Sequence, residues 1–199
     1  MLYEVSHFIK KHFNFLWDII EWGNSVLFLC FKKNKIKKIP LLLTKHSDKF
    51  LIREATINDS QDLELFFSEQ PTETFRFFNP HGFDKKSIQK VIRNKSFLTF
   101  VVLDHNAIVG YFFLRCFING KCFKGRVVDY RQRNKGIAKI MGNVINDVAV
   151  SLKLSIYTTI SPDNYASLAS TKAVNDIKII KILDNGYYYI ECTPKINDL

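Results

Sequence analysis

A polar, basic loop that follows an apolar strand is the part of this sequence best suited to chemistry. Residues 127–138 read Val-Val-Asp-Tyr-Arg-Gln-Arg-Asn-Lys-Gly-Ile-Ala, and Gly136 stands where an amphipathic helix begins. A helix N-terminus exposes unpaired N–H groups and the positive end of the helix dipole, so it binds phosphate oxygens. Glycine lets the backbone approach such a ligand closely, and Arg133 and Lys135 add positive charge. The stretch therefore predicts a phosphate-binding loop, with neither the Walker nor the dinucleotide-binding glycine spacing.

The elements that must position this loop are readable from the hydrophobic period. Apolar runs predict strands near 50–55, 98–103, 107–116, 123–129, 154–160, 177–183 and 187–192. Spacings of three and four predict helices near 58–68, 84–93, 137–148 and 164–174. Turn residues at 104–106 and at Asn119-Gly120 join three successive strands into an antiparallel meander. The predicted fold class is α/β (α+β), a mixed, mainly antiparallel central sheet with helices on both faces.

Composition sets the class of protein and of partner. The chain has 199 residues, 47% of them hydrophobic and 24% charged, which excludes intrinsic disorder. We expect one domain at 49–194, preceded by an N-terminal appendage at 1–48. The net charge of +10 favours an anionic partner such as a nucleic acid, an acidic membrane or a phosphorylated cofactor. Nucleic acid is the least favoured of the three, because the sequence has no nucleic-acid recognition motif.

The cysteines predict no metal site. Four of them lie far apart, without the short Cys/His spacings of a zinc site, so we expect no metal cofactor. A two-residue turn at Asn119-Gly120 would pair Cys116 with residue 123 and Cys122 with residue 117, on opposite faces of the sheet. A disulfide there would strain the strands, so we expect reduced thiols and a cytoplasmic location.

The first fifty residues carry half of the net charge, with nine Lys or Arg against four Asp or Glu. A narrow polar stripe at helical spacing comprises His7, Lys11, Asn14, Asp18, Glu21 and Ser25. Apolar residues cover the rest of the circumference, an interruption is expected at 23–25, and a lysine cluster follows at 32–38.

This pattern leaves three arrangements open for residues 1–40. Asp18 and Glu21 argue against a transmembrane span, because a buried acid in the bilayer is costly. A helix in the interface of an anionic membrane suits the two tryptophans and the lysines, and would place the protein at the inner face of that membrane. Packing on the domain and homodimer formation are the alternatives. In the membrane arrangement, removal of residues 1–40 should leave a folded domain.

The sequence from about 50 to 192 resembles the GCN5-related N-acetyltransferase (GNAT) superfamily. Residues 133–138 match its [Q/R]-x-x-G-x-[G/A] pyrophosphate loop, five residues after the strand-end Val128. Further landmarks are Ile52-Arg-Glu-Ala-Thr56 with Asp59, Ile108-Val-Gly-Tyr111, and Asn164 with Ser167. The resemblance implies acetyl-coenzyme A as the co-substrate and direct transfer to an amine, without a covalent enzyme intermediate.

The resemblance also implies the cofactor contacts. Backbone groups of Val127 and Val128 would hold the pantetheine arm as an added strand would. The pyrophosphate would lie on the amides of Arg133, Asn134, Lys135, Gly136, Ile137 and Ala138. Asn164 and Ser167 would contact the cofactor near the helix that follows them.

Three residues are the catalytic candidates. Asp129, at the end of the central strand beside the expected thioester, is the first candidate for the base, and His81 is the second. The superfamily usually has its acid, a tyrosine, seven residues after the motif asparagine, where this chain has Thr171. That leaves water as the candidate acid, either alone or positioned by Thr171, Ser167 or Ser170.

The acceptor side is expected in residues 69–83, a loop rich in proline, threonine and phenylalanine. The superfamily builds its acceptor pocket there, which points to Glu73, Arg76 and Phe78 as substrate contacts. A packed loop whose phenylalanines belong to the core is the alternative.

The functional hypothesis is therefore acetyl transfer from acetyl-coenzyme A to an amine of a small molecule, for instance an amino sugar of a surface glycan precursor. The alternative is a non-catalytic acyl-CoA-binding or membrane-docking module, favoured by the missing tyrosine.

Overall fold

A computed structural model describes the backbone of residues 14–195 and the side chains of residues 19–195. The strands are β1 (Leu51–Glu54), β2 (Phe97–Asp104), β3 (Ala107–Cys116), β4 (Lys121–Val128), β5 (Ser155–Ile160), β6 (Asn175–Ile182) and β7 (Tyr188–Pro194). The helices are α1 (Asn14–Ile36), α2 (Ile39–Thr44), α3 (Ser60–Ser68), α4 (Thr72–Phe77), α5 (Lys85–Arg93), α6 (Ile137–Leu152) and α7 (Tyr165–Lys172). The strands form one sheet in the order β1-β2-β3-β4-β5-β7-β6. Its β4–β5 pair is parallel and its other pairs are antiparallel, which confirms the predicted fold class.

The sheet has an apolar core on each face. Because strand side chains alternate, Phe112 and Leu114 of β3 face α6, while Tyr111 and Phe113 face α3 and α5. The same alternation directs Cys122, Lys124 and Arg126 of β4 toward α6 and directs Val127 toward the opposite core. The two faces of β4 therefore offer different chemistry.

Helix α1 does not break at residues 23–25, where the sequence predicts an interruption. The polar groups there contact the sheet instead. Asn24 Nδ2 donates to Ser96 Oγ at 3.0 Å and to Cys116 O at 2.9 Å, and Lys95 N donates to Ser25 Oγ at 2.9 Å. His7 and Lys11 of the predicted stripe, and the side chains of residues 14 and 18, lie outside the described part of the chain.

The described part of the predicted appendage packs on the domain. Phe28 of α1 and Ile39 and Leu43 of α2 are at most 2% exposed and belong to the same core as Phe112 and Met141. Of the three arrangements that the sequence leaves open, packing on the domain is therefore present. The division at residue 48 and the dispensability of residues 1–40 stay predictions.

Truncating Phe28 should test how strongly α1 stabilises the domain. A buried phenylalanine replaced by alanine costs about 3–5 kcal/mol, because the side chain leaves a cavity. We expect that loss of unfolding free energy for Phe28→Ala in urea denaturation. Phe31→Ala is the matched control, since Phe31 is 76% exposed on the same helix and its truncation should change the free energy by less than about 0.5 kcal/mol. Equal losses in the two variants would mean that α1 is not anchored through Phe28.

The hairpin between β3 and β4 corrects the predicted cysteine register. Phe117 N donates to Lys121 O, and Gly120, at φ 79°, closes a three-residue loop rather than a two-residue turn. Cys116 therefore pairs directly with Cys122, on the same face of the sheet. The four cysteines are free thiols. Because Cys116 and Cys122 are not separated on opposite faces, their positions no longer support the predicted cytoplasmic location.

Candidate active site

An opening between β4 and β5 is the largest irregularity of the sheet. The two strands pair only at Lys121–Phe123 with Ser155–Tyr157, although both continue for several residues. Thr158 Oγ1 donates to Lys124 O at 3.3 Å just beyond the last pair. The remaining part of each strand borders a cleft.

Backbone alternation decides which peptide groups face this cleft. Lys124 O points toward β5, whereas Asp129 N donates to β3. Because neighbouring residues of a strand direct their N–H and C=O groups to opposite sides, the peptides of Arg126 and Val128 face the cleft. The peptide of Val127 points toward β3, so of the two predicted backbone contacts the geometry suits Val128.

The predicted phosphate loop leads from this cleft into α6. Gly136 is the N-cap of the helix at φ 82°, and Asn134 is also left-handed at φ 64°. Residues 133–136 are exposed, whereas Ile137 is buried and anchors the helix. No side chain caps the N-terminus, and a Cβ on Gly136 would meet no atom within 4 Å. The first amides of α6 can therefore receive an anion at the mouth of the cleft.

The carboxylate of Asp129 forms hydrogen bonds that hold this loop. Its carboxylate accepts hydrogen bonds from Arg131 N at 2.9 Å, Nε at 3.0 Å and Nη2 at 2.7 Å, and Glu69 accepts from the same guanidinium at 2.6 Å. Burial raises the pKa of Asp129, but the hydrogen bonds and charge of Arg131 outweigh it and leave the pKa below its ordinary value. A carboxylate so stabilised is a weak base, and its geometry favours a structural role.

His81 lies beside β3, on the face of the sheet that packs against α3 and α5. Its Nδ1 is 2.8 Å from Gly82 O and its Nε2 is 2.9 Å from the hydroxyl of buried Tyr111. Burial lowers the pKa of His81, and the hydrogen bond to Gly82 only partly opposes this, so the ring is neutral with its proton on Nδ1. Nε2 then accepts the tyrosine proton. Both ring nitrogens are occupied, which makes His81 a support of the aromatic cluster rather than an available base.

Thr171 and Arg126 meet across the cleft. The Arg126 guanidinium donates to Ala138 O of α6 at 2.8 Å, and to Ser170 Oγ at 2.9 Å and Thr171 Oγ1 at 3.2 Å of α7. Burial lowers the pKa of Arg126 to about 10, which still leaves it cationic at neutral pH. The position predicted for a hydroxyl acid is thus paired with a half-buried cation.

A second cation, which is buried, lies close to Arg126 along the strand. Lys124 is 7% exposed and faces the same side as Arg126, two residues away. Burial lowers the pKa of Lys124 to about 8. Below that pH the two side chains make the floor of the cleft positive.

Asn164 and Ser167 begin α7. Asn164 Oδ1 accepts from Ser167 N at 3.1 Å, so the asparagine is the N-cap of this helix. The cap uses Oδ1 and leaves the side-chain Nδ2 of Asn164 to contact a ligand. Their predicted contact with the cofactor stays a prediction.

The acceptor segment is partly helical, because 72–77 of the expected loop form α4. This helix was hard to read from sequence, since none of its residues is buried. Glu73 and Arg76 are exposed, and Arg76 Nη2 lies 3.3 Å from Asp163 Oδ2 in the loop that precedes α7. Phe78 stacks against Phe67 at 6.4 Å and belongs to the apolar core of this face, as the packed-loop alternative has it.

Sequence reasoning missed Arg126, Arg131 and Tyr111. A signal for Arg126 was present, because Lys124 and Arg126 alternate with apolar residues in a central strand, where charge is costly without a partner. The partners of Arg126 come from α6 and α7, which are distant in sequence, so the role of that charge was not readable. Among residues 14–195, no group of three His, Cys, Asp or Glu side chains is placed to hold a metal ion.

No family model matches the sequence, and no curated protein matches it significantly. Solved structures do match. The GNAT domain of PAT from S. lividans superposes with a TM-score of 0.62 at 12% identity, covering 71% of this chain and 89% of that one. The ribosomal-protein-S5-alanine acetyltransferase of Vibrio fischeri gives a TM-score of 0.56 at 17% identity, covering 76% of this chain and 94% of that one.

A third similar structure holds ligands. The aminoglycoside acetyltransferase AAC(6')-Ib, in complex with coenzyme A and kanamycin, gives a TM-score of 0.57 at 12% identity, covering 72% of this chain and 94% of that one. At these identities the likeness concerns the fold alone. Together with the open β4–β5 edge, it establishes that the chain has the fold of the GCN5-related N-acetyltransferase superfamily.

Proposed function

We propose that this protein is an acetyl-CoA-dependent N-acetyltransferase that acts on an amine of a small molecule. Two structural features that follow one another along the chain support the proposal. The open edge of β4 leads directly into the exposed, uncapped N-terminus of α6, so one extended ligand with an anionic end fits both. Acetyl-CoA has that shape and charge.

The chain's own residues divide the binding task. The peptide groups of Arg126 and Val128 would hold the pantetheine arm, and the amides after Gly136 would hold the pyrophosphate, with Arg133 and Lys135 adding charge. Acetyl-CoA supplies the activated acetyl group as a thioester.

Transfer needs an attacking amine and a stabilised leaving group. The neutral amine nitrogen bonds to the thioester carbon, the carbon–sulfur bond breaks, and the amine proton passes to water. Arg126, held between α6 and α7, would stabilise the thiolate by its charge, in place of the tyrosine that the resemblance leads one to expect. A half-buried cation is effective there because water screens it only in part.

We infer that the Asp129 carboxylate, which holds Arg131, supports the cofactor-binding loop and does not take the amine proton; a conservative variant separates the two roles. Asp129→Asn keeps an oxygen for Arg131 N but loses the ion pair. We expect the KM for acetyl-CoA to rise about tenfold, with kcat within about twofold, in steady-state assays across pH 6 to 9. A large fall in kcat at unchanged KM would restore Asp129 as the base.

The acceptor should enter beneath α4. The hydroxyl of Tyr187 donates to Arg76 O at 3.2 Å, so the β6–β7 turn and α4 meet over that entrance. Exposed Glu73 on α4 would attract a protonated amine, which loses its proton before it reacts. An amino sugar remains the acceptor hypothesis, and the similarity to an aminoglycoside-bound structure is in keeping with it.

One observation favours the alternative, a non-catalytic acyl-CoA-binding module. Arg126 bridges the cleft to Thr171, so the same contact could close the site to an acceptor. Thermal shift with coenzyme A and then thiol release from acetyl-CoA against a panel of amino sugars, aminoglycosides and polyamines separate the two. Binding with amine-dependent thiol release supports the transferase. Binding without release for any amine supports the module, and no binding contradicts both.

A further inference from the structure

Helix α1 turns several polar side chains toward the domain, beside the buried Phe28. Glu21 forms an ion pair with Arg115, Asn24 binds the end of β3, and Lys32 Nζ donates to Leu152 O at 2.8 Å. Surface helices normally turn such groups to water and their apolar groups inward. Glu21, one of the two acids that argue against a transmembrane span, is therefore paired on the protein side.

The opposite side of the helix is apolar for three turns. We define the outer face of α1 as the exposed residues Ile19, Ile20, Trp22, Val26, Leu27 and Phe31. Trp22 is 69% exposed and Phe31 is 76% exposed. A contiguous apolar surface of this kind on a folded protein marks an interaction site.

Lysines follow on the same side. At 100° per residue Lys33 falls in line with Trp22 and Val26, and Lys37 lies in the turn just after α1, where its N–H donates to Lys33 O at 3.2 Å. Lys33, Lys37 and Lys38 are exposed. The helix thus presents an apolar surface followed by a basic one, both facing away from the domain.

We propose that the outer face of α1 docks on an anionic lipid surface, with the apolar turns in the interface and the lysines over the headgroups. Charge selects this occupant over a second copy of the chain, because two chains of net charge +10 would repel each other. A lipid surface also accepts a tryptophan at headgroup level. Within residues 14–195 no helix has the length and apolar character to cross a membrane. The inference does not depend on the acetyl-transfer proposal.

The test uses the full chain with phosphatidylcholine vesicles, with and without phosphatidylserine. We expect co-sedimentation that requires phosphatidylserine and weakens as salt is raised, because salt screens the lysines. Trp22→Ser with Val26→Ser removes exposed apolar surface only and should weaken binding about tenfold or more, as should Lys33→Glu with Lys37→Glu. Leu65→Ser with Val150→Ser is the matched control, because both residues are exposed elsewhere, and it should bind as the parent does.

Unfolding transitions of all variants establish that they are folded. Equal binding to both vesicle types, or equal loss in the control, would overturn the proposal. Sedimentation velocity without lipid adds a second readout. A dimer that dissociates in the Trp22→Ser variant would assign the outer face of α1 to a second copy and would likewise overturn the lipid proposal.

Discussion

Replacing Gly136 by aspartate is expected to abolish acetyl-CoA binding while the protein stays folded. Gly136 has φ 82°, and the space in front of its Cα is open. An aspartate there would fill that space and set a negative charge at the N-terminus of α6, where the pyrophosphate should bind. Titration calorimetry with acetyl-CoA should show no saturable heat. The left-handed backbone costs a non-glycine residue roughly 1–2 kcal/mol, which the domain should tolerate.

A matched control separates this effect from backbone strain. Gly120, in the β3–β4 hairpin, has φ 79° and also meets nothing within 4 Å. Gly120→Asp should therefore lose the same stability and keep parental affinity. Parental affinity in Gly136→Asp would remove the α6 N-terminus from the binding site, and loss of affinity in both variants would trace the effect to stability.

Replacing Arg126 by methionine should lower kcat about 100- to 1000-fold, the usual effect of removing a group that stabilises charge in the transition state. Affinity for coenzyme A should change only a few-fold, because the peptide group of Arg126 remains. Stopped-flow measurement of thiol release gives kcat, and calorimetry gives the affinity. Unchanged kcat with tighter coenzyme A binding would mean that Arg126 obstructs the cleft.

Two further variants keep the arginine and guard against misfolding of Arg126→Met. A Cβ on Gly142 of α6 would stand 2.7 Å from both Arg126 Nη1 and Val174 Cγ2, so Gly142→Ala should displace the guanidinium and lower kcat. The helix propensity of alanine adds about 1 kcal/mol of stability, but the contact with buried Val174 opposes it, so urea denaturation should accompany the kinetics. Thr171→Val removes one acceptor and should lower kcat less than Arg126→Met does. A Thr171→Val loss as large as that of Arg126→Met would make the hydroxyl the acid.

The sheet and the phosphate loop were predictable because their signals are local. The continuous apolar run of β3 follows from its burial on both faces, and the helical spacing from Ile137 follows from the burial of one side of α6. Gly136 stands out because it lies between a basic loop and an amphipathic helix, where the backbone can approach a phosphate closely. These features predict where the phosphate loop lies without any long-range contact.

The roles of charged side chains were not predictable, because they depend on the shape of a local turn or on partners distant in sequence. The Asp129 carboxylate binds Arg131 because the turn that follows β4 brings the two side chains together. Arg126 of β4 donates to Ser170 of α7. The orientation of α1 has the same cause. Its polar stripe was visible in the sequence, but that the stripe faces β3 through Glu21 and Arg115 was not.

Hydrogen exchange of the full chain with and without acetyl-CoA tests the central claim most directly. Bound cofactor should slow exchange at the open edge of β4, at the first turn of α6 and at the start of α7, and should leave α1 unchanged. That result would place the ligand in the β4–β5 cleft. Protection confined to α1 and the β3–β4 hairpin, or no protection at saturating acetyl-CoA, would contradict the account.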